Sequence, residues 1–332
     1  MAPAGDISEN RKAGTIILRP SLEGDQEGLS FMSAHIEQVK IPSGDLLCAG
    51  TLFRPSAQPS GLKVPAVLLS HGFACVRTMR NLPEVANALA DAGIAALTLD
   101  FRFLGESTGE PRQTVSPFHQ RQDLHNALTW LSEHPQIDGD RMGIWGTSYS
   151  GGHVLQVAAF DRRVKAVVSQ VPATDLFRQI RQAPAAHRER LHELIAEERV
   201  ARFRGLPART MKLAAPDGEP SLFGKHSLPW IARNASEHET FRNEVTIASL
   251  EEFVQFDPVD YIEAISPTPL LFVTASQDRL VSPDLIRQAF ERAGQPKKLL
   301  SVEGSHYDVY DNPDVRRLAS EAARDWFLQY LS

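Results

Sequence analysis

Gly146-Thr147-Ser148-Tyr149-Ser150 is the stretch whose residue types and spacing point most directly to chemistry. It follows a short apolar run, residues 142–146, and precedes Gly151-Gly152, which open a helical stretch. A serine on a sharp strand-to-helix turn, between small residues, presents its hydroxyl at the edge of a sheet in the G-x-S-x-G arrangement of a nucleophile. The neighbours must be small because the turn is tight. Ser150 stands where the last glycine is usual, and it is small enough to serve. The spacing therefore predicts Ser148 as a nucleophile.

A serine hydroxyl needs a base, and the base needs an acid to orient it. Leu270–Ala275 reads as a strand and is followed by Ser276-Gln277-Asp278. Residues 298–302 read as the next strand and are followed by Glu303-Gly304-Ser305-His306. Catalytic groups of open parallel sheets gather at the carboxyl ends of the strands, so Asp278 is the expected acid and His306 the expected base. Asp260 and Asp308 are alternative acids, and Asp278 also fits a turn or helix cap before Val281-Ser282-Pro283. A developing oxyanion needs two backbone N–H donors. Tyr149, next to the serine, supplies one. The loop Ser70-His71-Gly72-Phe73-Ala74-Cys75 supplies the other, expected from Phe73. His71 reads as a structural hydrogen-bonding residue and Cys75 as a small buried one.

These residues need a parallel sheet to position them. Val64–Ser70, Val164–Gln170, Leu270–Ala275 and residues 94–100, 142–146 and 298–302 are short apolar runs that suit buried strands. Helical stretches at 81–92 and 122–134 lie between them, which gives βαβ units. Before them, residues 35–55 alternate apolar and polar around Ser43-Gly44-Asp45, the pattern of an antiparallel hairpin. Residues 1–30 read as a tail or arm with one apolar stretch, Ile16-Ile17-Leu18, and Met32 is an alternative start.

Between the strand ending near Val171 and the one starting near Pro269 the alternation breaks. An insertion this long inside a βα repeat reads as a cap, residues 173–265, over the carboxyl edge of the sheet, with core at 31–172 and 266–332. Leu191, Leu194, Ile195 and Glu198 fit one amphipathic helix. Phe177, Phe203, Phe223, Trp230 and Phe253 are candidates to line an acyl pocket, or to pack the cap onto the core. From Asp175 to Lys212 nine basic residues stand against five acidic ones. A solvated, ion-paired helix face explains them more simply than a mouth for anionic substrates.

The whole pattern resembles the α/β-hydrolase superfamily: a mostly parallel, doubly wound sheet with a helical cap between late strands. Ser70-His71-Gly72-Phe73, residues 100–107, residues 145–153, Phe256-Asp257-Pro258 and His306-Tyr307-Asp308 are similar to one branch of it. That branch comprises dienelactone-hydrolase and X-Pro dipeptidyl-peptidase-like hydrolases, including the thiohydrolases known as polyketide transferases. The family triad falls on Ser148, Asp278 and His306. Phe103-Leu104 depart from the glycine and aromatic that relatives carry, which makes Phe103 a candidate pocket wall.

Composition fits this reading. The 332 residues carry net charge −6, 42% hydrophobic residues and two cysteines, which excludes a disulfide scaffold and argues against a nucleic-acid partner. No apolar run approaches the roughly 20 residues of a membrane span, and no apolar signal region opens the chain, so a cytoplasmic protein is expected. Gly218 to Gly224-Lys225 lacks the Ser or Thr of a phosphate loop, His187 and His192 do not share a helix face, and G-x-G-x-x-G is absent. Neither metal nor cofactor is expected. The expected partner is a small ester or thioester, with a homodimer left open. Amide, peptide or C–C cleavage by the same triad, and a catalytically idle binding protein, are the rival readings.

Overall fold

The computed structural model describes residues 9–10, 15–18, 34–56, 61–79 and 81–332. Its strands are β1 (Glu9–Asn10), β2 (Thr15–Leu18), β3 (His35–Ser43), β4 (Leu46–Arg54), β5 (Val64–Ser70), β6 (Ala95–Leu99), β7 (Ile137–Thr147), β8 (Val164–Gln170), β9 (Thr210–Met211), β10 (Val245–Thr246), β11 (Leu270–Ala275) and β12 (Lys297–Val302). Ten of them form one sheet in the order β1-β2-β12-β11-β8-β7-β5-β6-β4-β3. From β2 to β6 neighbouring strands are parallel. The β3–β4 hairpin turns at Gly44, whose φ of 61° suits a residue without Cβ, and β4 joins β6 antiparallel. The apolar runs become central strands because only a strand covered on both faces can be apolar throughout.

The helices are α1 (Asn81–Asp91), α2 (Pro117–Glu133), α3 (Tyr149–Phe160), α4 (Leu176–Arg181), α5 (Ala185–Phe203), α6 (Leu228–Glu237), α7 (Ser249–Phe253), α8 (Pro283–Arg292), α9 (Asp308–Asp311) and α10 (Pro313–Leu331). α1 and α10 pack together on one face of the sheet, and α2 and α3 pack together on the other. Local chemistry fixes their starts. Ser116 accepts from the His119 N–H and is followed by Pro117, and Asn312 accepts from the Asp314 and Val315 N–H groups and is followed by Pro313. This is the α/β-hydrolase fold, a mostly parallel sheet wound on both sides.

Two expectations change at the periphery. Of the N-terminal arm, residues 1–8, 11–14 and 19–30 lie outside the described residues, as does Met32. Glu9–Asn10 and Thr15–Leu18 are strands rather than tail, and Thr15–Leu18 pairs in parallel with β12. The apolar stretch Ile16-Ile17-Leu18 thus extends the sheet past β12. The inserted segment is mostly helical but contains the β9–β10 ribbon. Its last stretch, the 3₁₀ segment Pro258–Ile265, packs on α3 of the core rather than over the sheet edge.

Candidate active site

The elbow between β7 and α3 is built by close approach. Ser148 has φ 55° and ψ −118°, a conformation side-chain-bearing residues rarely adopt. Its N–H donates to the Gln170 carbonyl at 2.9 Å and its own carbonyl accepts from Ala173 at 3.0 Å, so the loop after β8 holds the turn from both sides. A Cβ on Gly146 would run into the Ser150 carbonyl, and one on Gly152 would meet the Ala173 carbonyl and the Phe256 ring. These glycines are therefore required by contact. Ser150 is fully buried, and its hydroxyl has no partner among the described residues, which shows how little room that position leaves.

Asp278 follows β11 and His306 follows β12, and the two loops are tied by the Gln277 N–H donating to the Gly304 carbonyl at 2.8 Å. His306 Nδ1 lies 2.7 Å from Asp278 Oδ2, and His306 Nε2 lies 3.1 Å from Ser148 Oγ. Asp278 Oδ1 meanwhile accepts from the N–H groups of Leu280 and Val281 at 2.8 and 2.9 Å. The turn role and the acid position thus belong to one carboxylate, its two oxygens divided between them. Asp278 and His306 are buried and Ser148 is half-buried, so the Asp–His hydrogen bond is shielded from water. Of the alternative acids, Asp260 is exposed. Asp308 Oδ2 accepts from the Ser305 N–H and hydroxyl at 2.6 and 2.7 Å, so it braces the loop that carries His306.

The Phe73 and Tyr149 N–H groups donate to no other group among the described residues. Tyr149 is the first residue of α3, where the amides are unpaired and the helix dipole is positive. The loop bearing Phe73 is anchored from below. Asp100 Oδ1 accepts from the Arg77 N–H at 2.6 Å, and the Arg77 guanidinium pairs with both Asp100 and Glu106. Gly105, with φ 53°, leaves the space that the Asp100 carboxyl fills. The 100–107 motif is thus a buttress for the loop that carries Phe73. His71 Nδ1 lies 2.8 Å from the Gly72 carbonyl, and burial holds its imidazole below its ordinary pKa. Burial pushes the Cys75 thiol up to about 12, so it is no thiolate.

Above Ser148 lies a cleft of two lobes, a smaller and a larger one, bordered by the insertion. Phe223 borders both lobes, Trp230 the smaller and Phe253 the larger. The Phe73 ring packs edge-on to Phe223 and Phe253, with centroids 5.7 and 5.0 Å apart. Three pocket expectations are corrected. Phe203 is 93% exposed at the end of α5, on the face turned away from the core. Phe103 borders neither lobe: its backbone, at φ 70°, sits in the region that favours glycine, and its ring packs against Gly109 and 6.0 Å from the His119 ring. Phe177 is also exposed. Sequence reasoning missed Tyr307 and Tyr310, which border the smaller lobe beside His306. Their place immediately after the predicted base was the available signal.

The basic segment is largely paired. Arg190 meets Glu193 at 3.1 Å, Arg209 meets Glu198 at 3.0 Å, and Arg199 and Arg202 both reach Glu251 on α7. Among the described residues no cluster of His, Cys, Asp and Glu could hold a metal ion, and no helix is long and apolar enough to cross a membrane.

A family model described as X-Pro dipeptidyl-peptidase (S15 family) matches residues 43–308. Polyketide transferase ATR5 of Stachybotrys chlorohalonatus is 30% identical over 259 residues, 76% of this chain and 85% of that protein. Thiohydrolase apmlB of Arthrinium phaeospermum is 32% identical over 289 residues, 81% of this chain and 90% of that protein. The crystal structure of α/β hydrolase GrgF from Penicillium superposes with a TM-score of 0.78 at 25% identity, covering 90% of this chain and 99% of the other.

Proposed function

The chain belongs to the X-Pro dipeptidyl-peptidase (S15) family, in the α/β-hydrolase branch that also holds polyketide transferases and thiohydrolases; it is a hydrolase, and we propose that it cleaves esters or thioesters through a serine acyl-enzyme. The observation that carries this reading is the unbroken chain from Asp278 through His306 to Ser148 Oγ at the floor of an apolar cleft. Ser148 Oγ attacks the carbonyl carbon while His306 Nε2 takes its proton. The carbonyl oxygen becomes an oxyanion and accepts from the Phe73 and Tyr149 N–H groups. Collapse breaks the bond to the leaving group, which receives the proton from His306. Water, deprotonated by His306, then attacks the acyl-enzyme and releases the acid, restoring Ser148. Asp278 holds the imidazole with Nδ1–H towards itself, so that Nε2 is free to accept.

Esters and thioesters are preferred over dipeptides because capture of a free amino terminus calls for an anionic partner. Among the described residues bordering the two lobes none is Asp or Glu. The test is covalent labelling with a fluorophosphonate, followed by rates on p-nitrophenyl esters, acyl thioesters and X-Pro amides. The expected result is labelling at Ser148, lost in Ser148→Ala with the fold retained, and turnover of esters or thioesters well above amides. Full esterase activity in Ser148→Ala would sink the proposal.

A further inference from the structure

The two lobes meet at Ser148, and only one of them touches the proton donor. Ser148, Phe73, Phe223 and Leu280 border both lobes, but His306 borders the smaller lobe and not the larger one. This asymmetry has a chemical meaning. In the tetrahedral intermediate the central carbon carries Ser148 Oγ, the oxyanion, the acyl chain and the leaving atom. The oxyanion faces the Phe73 and Tyr149 amides. As the carbon–leaving-atom bond breaks, the proton that His306 took from Ser148 passes to the leaving atom, which must stand within hydrogen-bond reach of Nε2. The acyl chain then has the remaining direction, past Tyr149 and away from His306.

Resting on the acyl-enzyme reading above, we infer that the small lobe beside His306 receives the leaving group and the large lobe receives the acyl chain. The small lobe's walls state the leaving group's class. Trp230 stacks on Tyr307 with ring centroids 5.0 Å apart and lies 5.6 Å from Tyr310, and Met79 and Ile231 complete an apolar surround. Among the described residues bordering this lobe no Lys, Arg, Asp or Glu occurs. These rings suit an apolar or aromatic alcohol or thiol, whose surface they would cover. The large lobe is walled by Leu176, Ile180, Leu191 and Phe253, with Arg279 exposed at its rim. It suits a medium-length acyl chain whose far end reaches solvent. The substrate is therefore an ester or thioester in which the larger part is the acid and the smaller, apolar part is the group expelled.

Burst kinetics separates the two lobes, because the acyl-enzyme retains the acyl chain but has lost the leaving group. Trp230→Ala and Met79→Ala alter the small lobe, and Leu191→Ala alters the large one. Each is first checked for a parental melting profile; Met79→Ala and Leu191→Ala carry the test if Trp230→Ala does not fold. With naphthyl and methyl esters of one acid, the small-lobe variants should lower the acylation rate by about tenfold for naphthyl and less for methyl. The deacylation rate, common to both esters, should stay at the parental value. Leu191→Ala should shift the acyl-length optimum identically for both alcohols and should change deacylation. A burst in which Leu191→Ala discriminates between the alcohols, and the small-lobe variants alter deacylation, overturns the partition alone. Absence of any burst and of Ser148 labelling overturns the acyl-enzyme reading, and the partition with it.

Discussion

At the residue scale, the most informative side chain is Asp278, because its two oxygens serve two purposes. Oδ2 meets His306 Nδ1 and Oδ1 accepts two backbone amides. An asparagine could keep the amide contacts through its carbonyl oxygen, but would then present an NH₂ to Nδ1. That favours the tautomer with the proton on Nε2, which cannot take the serine proton. Asp278→Asn is therefore expected to fold normally and to lose about 10⁴ in turnover, as in other triads. Asp308→Asn weakens only the brace at Ser305 and should cost about tenfold or less, and exposed Asp260→Asn should change nothing measurable. Parallel kcat measurements on the three variants decide among the carboxylates. A full loss at Asp308 with an active Asp278 variant would reverse the assignment.

At the element scale, the loop carrying Phe73 depends on a segment that lines neither lobe of the cleft. Asp100, at the end of β6, holds the Arg77 amide and guanidinium, and Gly105 leaves space for that carboxyl. In Gly105→Ala the new methyl would meet the Asp100 carboxyl, and the residue would also keep an unfavourable positive φ. The expected destabilisation is about 1–3 kcal/mol, read as a lower urea midpoint. Turnover should fall further than the folded fraction does, because displacement of Asp100 releases the loop that presents the Phe73 N–H. If turnover merely tracks the folded fraction, the buttress has no part in positioning that donor.

At the scale of the whole molecule, two fully buried histidines set an acid limit. Burial holds the imidazoles of His71 and His153 below the ordinary value of 6.5, His153 well below it. Below that value the unfolded chain binds protons that the folded chain refuses, so stability rises with pH through this range. The contribution is complete above about pH 6.5 and is lost as pH falls towards the depressed folded values. Melting temperature should accordingly be flat from about pH 7 upwards and fall between about pH 6 and 5. His153→Gln removes one of these titrations while leaving an amide to face Gln120, whose Oε1 lies 2.7 Å from His153 Nε2. The variant should show a shallower fall. An unchanged slope would place the acid sensitivity elsewhere.

The line from Ser148 to Asp278 to His306 was legible because each residue follows an apolar run directly, and strand-end position survives any detail of packing. The central strands and the α/β alternation were legible for the same reason: buried parallel strands announce themselves as short apolar runs between turns. Phe203, Phe103 and Trp230 could not be sorted this way. All three are aromatic residues in irregular or helical surroundings, and which face solvent, which fill a turn and which line a cleft depends on how α5, α6 and the 100–107 loop pack. Thr15–Leu18 was equally opaque, since an edge strand is decided by the neighbour it finds, here β12. Sequence thus determined which residues stand at strand ends and where strands and helices alternate, because those patterns are local along the chain. Tertiary structure alone decided the order of the strands, the approach of His306 to Ser148, the division of the cleft and the walls of each lobe, because these bring together residues a hundred or more positions apart.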